Sequence, residues 1–347
     1  MKRNALFPTS VASHLIAVGF GLVAIISIST MAAELPVGVE VGRYNGWDDA
    51  VTLQGKDAEA RAVITPSAGG RIVEYSLDGD SILYQAPGTG GKTLANTPDG
   101  FAVSGYQIDL GPEILGVPKH ETLWLGPWSA KPSRDYGVTL TSLADPALGV
   151  QIVKEIVIDP DAGDLGINQT LKNVSGQDVS FCMWDRTLVR GGGFAFFPVN
   201  KKSRFKAKWS QRRTVDGRYV YDGDKPDSEN VKIIDGILVA KAGGPATKIG
   251  ADSDAGWIAY AMGRLLFIKY FPHSKTGEYS DGGNSVEVYW DERFGEIEPL
   301  SPEVKLRPGE SYNFPEKWVL LEIDKPIVKH MDARNLVKLV PPSPFKH

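Results

Sequence analysis

The sequence has little cysteine, little histidine and little charge imbalance. Its single cysteine, Cys182, excludes an internal disulfide, and the apolar residues around it predict a buried strand residue rather than a nucleophile. Lysine and arginine number 38 against 42 aspartate and glutamate, for a net charge of -4. A mildly acidic chain of this kind is not expected to be a general nucleic-acid binder. Its five histidines are scattered without metal-ligand spacing, so neither a metal site nor a cofactor is expected.

The N-terminus has the three parts of a secretory signal. Lys2 and Arg3 precede an apolar run over residues 15–28, and small residues follow up to Ala33. Residues 1–33 are therefore predicted to be a signal peptide, which makes the mature protein secreted or periplasmic and free of the membrane after cleavage. An uncleaved N-terminal anchor is the alternative, although the run is short for a membrane span.

The rest of the chain has strand signals from end to end. Short alternating or apolar segments are separated by glycine, proline, asparagine and aspartate, while helical periodicity is almost absent before residues 327–339. No internal repeat is visible, which argues against a propeller or solenoid. The sequence predicts one all-β domain over residues 34–325, a large antiparallel sandwich, followed by a tail at 326–347 with a short closing helix.

A basic segment lies at residues 201–213. It contains seven lysines and arginines, and its alternation with Phe205 and Trp209 predicts a strand with one cationic face. One interpretation is an edge strand that charges protect from pairing with other chains. The other is a surface for an anionic glycan.

Two acidic residues near the C-terminus are spaced for one face of a strand. Glu296 and Glu298 project to the same side of an extended segment, while Ile297 points to the other. Like charges this close make ionisation of both carboxyls costly, so one of them should keep its proton to a higher pH. A solvated strand face is the alternative interpretation.

A glycine- and proline-rich loop at residues 111–128 combines polar and aromatic groups. Glu113, His120 and Trp124 provide a carboxylate, an imidazole and an indole, the groups that commonly bind sugar hydroxyls and ring faces. His273 follows a predicted strand and precedes a second acidic loop. For either histidine alone, a structural role is the competing interpretation.

Three segments together resemble the galactose mutarotase-like, or aldose 1-epimerase, superfamily. Residues 69–84, beginning Gly-Gly-Arg-Ile, are similar to its early strand pair, and residues 165–181 to its middle hairpin. Residues 298–312 are similar to its C-terminal signature, in which a glutamate ends a strand and a Leu-x-Pro-Gly-Glu-x-Tyr run follows. The resemblance implies a β-supersandwich and a mono- or oligosaccharide as partner.

The resemblance also implies roles for particular residues. Glu298 falls on the position of the general base, whereas the stretch that should carry the general acid contains no histidine, so His120 or His273 would have to supply it. Expected sugar-binding residues are Glu296, Arg186, Asp185, Trp124, Glu113 and Arg71. Three functions remain open at this point: an epimerase-like enzyme, a non-catalytic glycan-binding module, and a structural cell-envelope protein.

Overall fold

The computed structural model describes residues 34–56, 59–97, 104–117 and 119–345. The predicted signal peptide lies outside these residues. Residues Leu35–His347 form one compact unit. Within the described part of the chain, no helix has the length and apolar character needed to cross a membrane.

Strands dominate the described residues. In chain order they are β1 Val39–Tyr44, β2 Trp47–Gln54, β3 Ala60–Thr65, β4 Arg71–Leu77, β5 Asp80–Ser81, β6 Tyr106–Gly111, β7 Ser129–Arg134, β8 Gly137–Thr141, β9 Val150–Ile158, β10 Leu165–Asn173, β11 Val179–Arg190, β12 Phe194–Pro198, β13 Ser210–Val215, β14 Arg218–Asp222, β15 Val231–Ile234, β16 Ile237–Lys241, β17 Thr247–Ala251, β18 Trp257–Met262, β19 Leu265–Tyr270, β20 Val286–Trp290, β21 Phe294–Pro299, β22 Val304–Leu306, β23 Ser311–Asn313 and β24 Glu316–Glu322. The helices are α1 Glu121–Trp124 and α2 His330–Asn335, with 3-10 turns at Pro66–Ala68, Glu113–Leu115 and Leu336–Leu339.

These strands form two large antiparallel sheets. The 13-stranded sheet has the order β1-β2-β3-β4-β6-β11-β21-β20-β17-β13-β14, with β22 added to β11 and β5 to β4. The 11-stranded sheet has the order β15-β16-β12-β18-β19-β24-β10-β9-β8-β7, with β23 added to β10. The predicted all-β sandwich is therefore confirmed.

The main core lies between the two sheets. Strand alternation places every second side chain there, as in β9, where Val150, Ile152, Ile156 and Ile158 are fully buried. Trp318 of β24 packs its ring edge to face against Tyr106 and Phe267, with ring centroids 5.2 and 5.1 Å away. Burial of this apolar surface is the main source of stability in a chain without disulfides.

The C-terminal tail covers the outer face of the 11-stranded sheet. Ala333 and Leu336, from α2 and the turn after it, are buried in a second apolar cluster with Phe194 and Val239. The predicted short closing helix is confirmed, although its last turn is a 3-10 turn.

The prediction of a strand through the basic segment is wrong for residues 204–209. These residues form turns, closed by a hydrogen bond from the Lys208 amide to the Phe205 carbonyl, 3.0 Å, and Lys208 has a φ of 69°. A left-handed residue at this position interrupts an extended strand. The strand begins only at Ser210, and β13 then lies between β14 and β17 rather than at the sheet edge.

Candidate functional site

Charged side chains gather on the outer face of the 13-stranded sheet. Cross-strand pairing places Glu298 opposite Glu287, and Glu296 between Leu188 and Tyr289, while Ile297 points into the core. Because β6, β11, β21, β20 and β17 are neighbours, their outward residues form one continuous surface on which the charged groups lie side by side.

A cavity of about 300 Å³ lies over this surface. Its volume is at the lower end of the range for small-molecule sites. The lining combines aromatic rings, cations and carboxylates, and consists of Glu113, Trp184, Arg186, Arg212, Tyr219, Lys248, Tyr289, Phe294 and Glu296.

Lys248 is the cation at the centre of the cluster. Its Nζ lies 2.7 Å from Glu298 Oε2, 2.9 Å from Glu287 Oε2 and 3.2 Å from Glu113 Oε2. The ammonium also lies 4.1 Å from the centroid of the Trp184 ring, and the Trp184 indole donates a 2.6 Å hydrogen bond to Glu298 Oε2. Glu298 is thus a buried carboxyl held in place from two sides.

Arg186 pairs with two carboxylates on the other side of the cluster. Its Nη2 lies 3.0 Å from Glu296 Oε1 and its Nη1 lies 3.4 Å from Asp109 Oδ2. Asp109 in turn contacts the His120 Nε2. His120 is buried, and Asp109 links it to Arg186 at the cavity.

Glu298 and Glu296 have pKa values shifted in opposite directions. Burial, together with the like charge of Glu296, raises the pKa of Glu298 to about 7 although Lys248 opposes the shift. Burial also works against ionisation of Glu296, but Arg186 and a hydrogen bond shared with Glu298 outweigh it and lower the pKa of Glu296. Near neutral pH the pair can therefore hold one proton, on Glu298. Burial also raises the pKa of Glu287, to about 8.

The raised pKa of Glu298 predicts a pH-dependent stability. Between the ordinary pKa of 4.5 and about 7, folded Glu298 keeps a proton that the unfolded chain has released, so raising the pH favours unfolding. Glu287 acts in the same direction up to about pH 8. Since one pKa unit corresponds to about 1.4 kcal/mol, the Glu298 contribution should reach about 3 kcal/mol.

Urea unfolding at pH 5, 6, 7 and 8 checks this expectation. The free energy of unfolding should fall with pH, and the fall should be shallower in Glu298→Gln than in the parent protein. Glu40→Gln on the exposed side of β1 serves as the control. Equal slopes in the parent and in Glu298→Gln would contradict the assignment.

The structure brings four of the predicted residues to the cavity. Glu296, Arg186 and Glu113 line it, and Glu298 lies directly beneath, in contact with the lining residues Lys248 and Trp184.

Other predicted residues lie elsewhere. Asp185 faces the inter-sheet core, where it contacts Lys269 of the opposite sheet. Arg71 is buried and donates to the Ser104 and Trp124 carbonyls, at 3.3 and 2.9 Å, so it joins two loops.

The remaining three, Trp124, His120 and His273, are also outside the cavity lining. Trp124 packs against His120 with ring centroids 4.6 Å apart. His273 stacks on Tyr279 at 5.4 Å. No histidine among the described residues lines the cavity.

Several residues of the cavity and of the charged cluster beneath it were not predicted from the sequence. Lys248 and Glu287 are single charges inside otherwise apolar strands, Thr247–Ala251 and Val286–Trp290. A charge in a buried strand needs a partner of opposite charge. The isolated charge in each of these two segments was therefore a signal that the sequence contained. The aromatic residues Tyr219 and Tyr289 carry no comparable signal.

Three carboxyl groups beside the cavity approach one another closely. Oxygens of Glu113, Asp281 and Glu287 lie within 4.8 Å of each other. The Lys248 ammonium contacts Glu113 and Glu287, and the backbone amides of Glu113 and Ile114 donate to Asp281. The charge of this group is therefore compensated by the chain itself.

The two sheets form a β-sandwich that is similar in fold to solved galactose mutarotase-like proteins. A galactose mutarotase-like protein from Lactobacillus casei superposes with a TM-score of 0.54 at 11% identity, over 78% of this chain and 100% of that one. A proposed aldose 1-epimerase from Escherichia coli K12 gives a TM-score of 0.55 at 10% identity, over 79% of this chain and 100% of that one. The predicted resemblance is thus confirmed at the level of the fold.

A similar fold also occurs in part of a protein that is named for another domain. A TPR-domain containing protein from Parabacteroides distasonis superposes with a TM-score of 0.51 at 13% identity, over 81% of this chain but only 49% of its own. No family model matches this sequence, and no curated protein is significantly similar to it. At these identities the likeness extends to the fold, and a shared fold does not fix a shared function.

Proposed function

We propose that the cavity on the outer face of the 13-stranded sheet binds a carbohydrate. The observation that carries the proposal is the juxtaposition of the Tyr289 ring with the fixed hydrogen-bonding groups of Arg186 and Glu296, beside a Trp184 ring whose face contacts the Lys248 ammonium. Aromatic faces pack on the apolar side of a sugar ring, and charged groups bind its hydroxyls. The shared fold with mutarotase-like proteins supports the same class of ligand.

The charges around the cavity favour a neutral sugar. Each cation in the lining is already paired: Arg186 with Glu296 and Asp109, Lys248 with three carboxyls, and Arg212 with Glu113. An anionic substituent would have to compete with these carboxylates in a partly buried site, which is electrostatically costly. An anionic glycan would therefore bind outside the cavity, at exposed lysines such as Lys201 and Lys206.

Anomeric ring opening is the second candidate function, and the pKa of Glu298 favours it. A carboxyl with a pKa of about 7 can accept and return a proton at neutral pH. In this reaction Glu298 would take the proton of the anomeric hydroxyl, with Glu296 sharing it. As the ring C–O bond breaks, the proton that Glu298 has taken passes to the ring oxygen, and the phenol of Tyr289, which burial keeps protonated by raising its pKa, donates a hydrogen bond to that oxygen. His120, held by Asp109, is not needed for this step.

Titration calorimetry with the neutral aldoses glucose, galactose and mannose tests the binding proposal. At least one should bind, and Arg186→Gln should weaken binding at least tenfold, because it removes a charged donor to the sugar. Arg307→Gln is the matched control, since Arg307 pairs with Glu310 on the surface. Thermal unfolding of each variant verifies that it folds. If neither these sugars nor their di- and trisaccharides bind the parent protein, the proposal is wrong.

Polarimetry separates the two functions. Faster interconversion of anomers by the parent protein, lost in Glu298→Gln, supports ring opening; binding without faster interconversion supports a binding module. The secreted or periplasmic location is part of the same proposal and rests on residues 1–33 alone.

A further inference from the structure

The hairpin at the end of the 13-stranded sheet supplies part of the cavity wall. It consists of β13 and β14, with β14 as the edge strand. Arg212 and Tyr219 both line the cavity and lie on the same face of the hairpin, since Arg212 pairs with Tyr221 and Tyr219 with Thr214. Val220 projects to the opposite face.

Tyr219 is an exposed ring with the Arg212 guanidinium over one face. Its exposed fraction is 43%, although it contributes to the cavity wall. The Arg212 guanidinium lies 4.3 Å from the ring centroid and also contacts the Glu113 carboxylate. Glu113 is connected in turn to Lys248 at the cavity floor. This series of contacts limits the movement of the ring, so stacking of a ligand costs little further conformational freedom of the Tyr219 side chain.

The position of Tyr219 differs from that of the other aromatic residues of the cavity. Trp184 is buried against Lys248 and Glu298, inside the site. Tyr219 lies where the cavity opens to solvent, on an edge strand with no further strand beside it among the described residues. A ring at this place can contact a part of the ligand that extends beyond the cavity.

We propose that Tyr219 forms a second carbohydrate subsite, and that the ligand is therefore an oligosaccharide. This inference rests on the proposed function. The terminal sugar unit occupies the cavity of about 300 Å³, and the next unit stacks on Tyr219 at its mouth. Stacking of one apolar sugar face on the ring tightens binding about three- to tenfold relative to the single sugar.

Calorimetry with sugars of increasing length tests the subsite. The probes are glucose, galactose and mannose and their homologous di- and trisaccharides. In the series that binds, the parent protein should bind the disaccharide about three- to tenfold more tightly than the monosaccharide. Tyr219→Ala should reduce this ratio to about one, and Tyr219→Phe should retain it, because the ring face and not the hydroxyl makes the contact.

Val220→Ala is the matched control, since Val220 is the next residue of the same strand and is 39% exposed. It should leave the ratio unchanged. Equal affinities for mono- and disaccharide in the parent protein, or a ratio that survives Tyr219→Ala, would overturn the subsite while leaving the cavity proposal intact. If no probe of any length binds, the proposed function itself fails, and the subsite with it.

Discussion

Lys248→Met is expected to lower the free energy of unfolding by about 3–5 kcal/mol. The substitution removes the single ammonium that contacts Glu298, Glu287 and Glu113. Glu298 and Glu287 are fully buried and cannot be hydrated instead. A buried carboxylate without a cation is strongly unfavourable, so the two groups should take up protons and the loss of stability should be smaller at pH 5 than at pH 8.

Urea unfolding at both pH values measures the loss. Lys305→Met is the matched control, because Lys305 pairs with Asp178 where both side chains are largely exposed, and such surface pairs contribute about 0–1 kcal/mol. The double substitution Lys248→Met/Glu298→Gln should recover part of the stability, since it removes one of the uncompensated carboxyls. If Lys248→Met costs no more than Lys305→Met, the ammonium is not what stabilises the cluster.

Gly69→Ala is expected to destabilise the protein by about 3 kcal/mol or more, through a steric conflict with a distant loop. Gly69 has a φ of 82°, and a Cβ atom added there would lie 1.9 Å from the Trp124 carbonyl oxygen. That oxygen also accepts the hydrogen bond from Arg71. The positive φ alone costs about 1 kcal/mol, and the contact forces the two backbone segments apart.

Gly79→Ala separates these two contributions. Gly79 has a similar φ of 78°, but an added Cβ atom would have no neighbour within 4 Å. Thermal or urea unfolding should therefore show a loss of about 1 kcal/mol for Gly79→Ala and a clearly larger one for Gly69→Ala. Equal losses at both positions would mean that conformational strain, and not the contact with the Trp124 loop, explains the need for glycine at position 69.

Local pattern was sufficient to predict the fold class. β9 and β10 alternate in burial because one face of each strand lies on the core, and most residues on that face are apolar, with Lys154 and Gln169 among the exceptions. The basic segment shows the limit of this reasoning. Phe205 and Trp209 are buried, as an alternating strand would require, yet the backbone reaches this arrangement through turns.

The site could be predicted only in part. The two-residue spacing placed Glu296 and Glu298 on one face of β21 and suggested that their pKa values would differ, which agrees with the structure. For Asp185 and Arg186 the same alternation applies, but the sequence did not indicate which face was outward. Arg186 reaches the cavity, whereas Asp185 faces the core and contacts Lys269.

From the sequence alone, the strand-rich architecture and the acidic pair of β21 were determined, because both depend on the two-residue period of a single extended segment. Only the tertiary structure decided that Lys248, Arg186 and the aromatic residues of the cavity lie beside Glu296 and Glu298. Their meeting depends on the order of strands in the sheet, which brings together β6, β11, β17, β20 and β21 from positions up to about 190 residues apart. Strand order follows from the packing of the whole core, and no single segment encodes it.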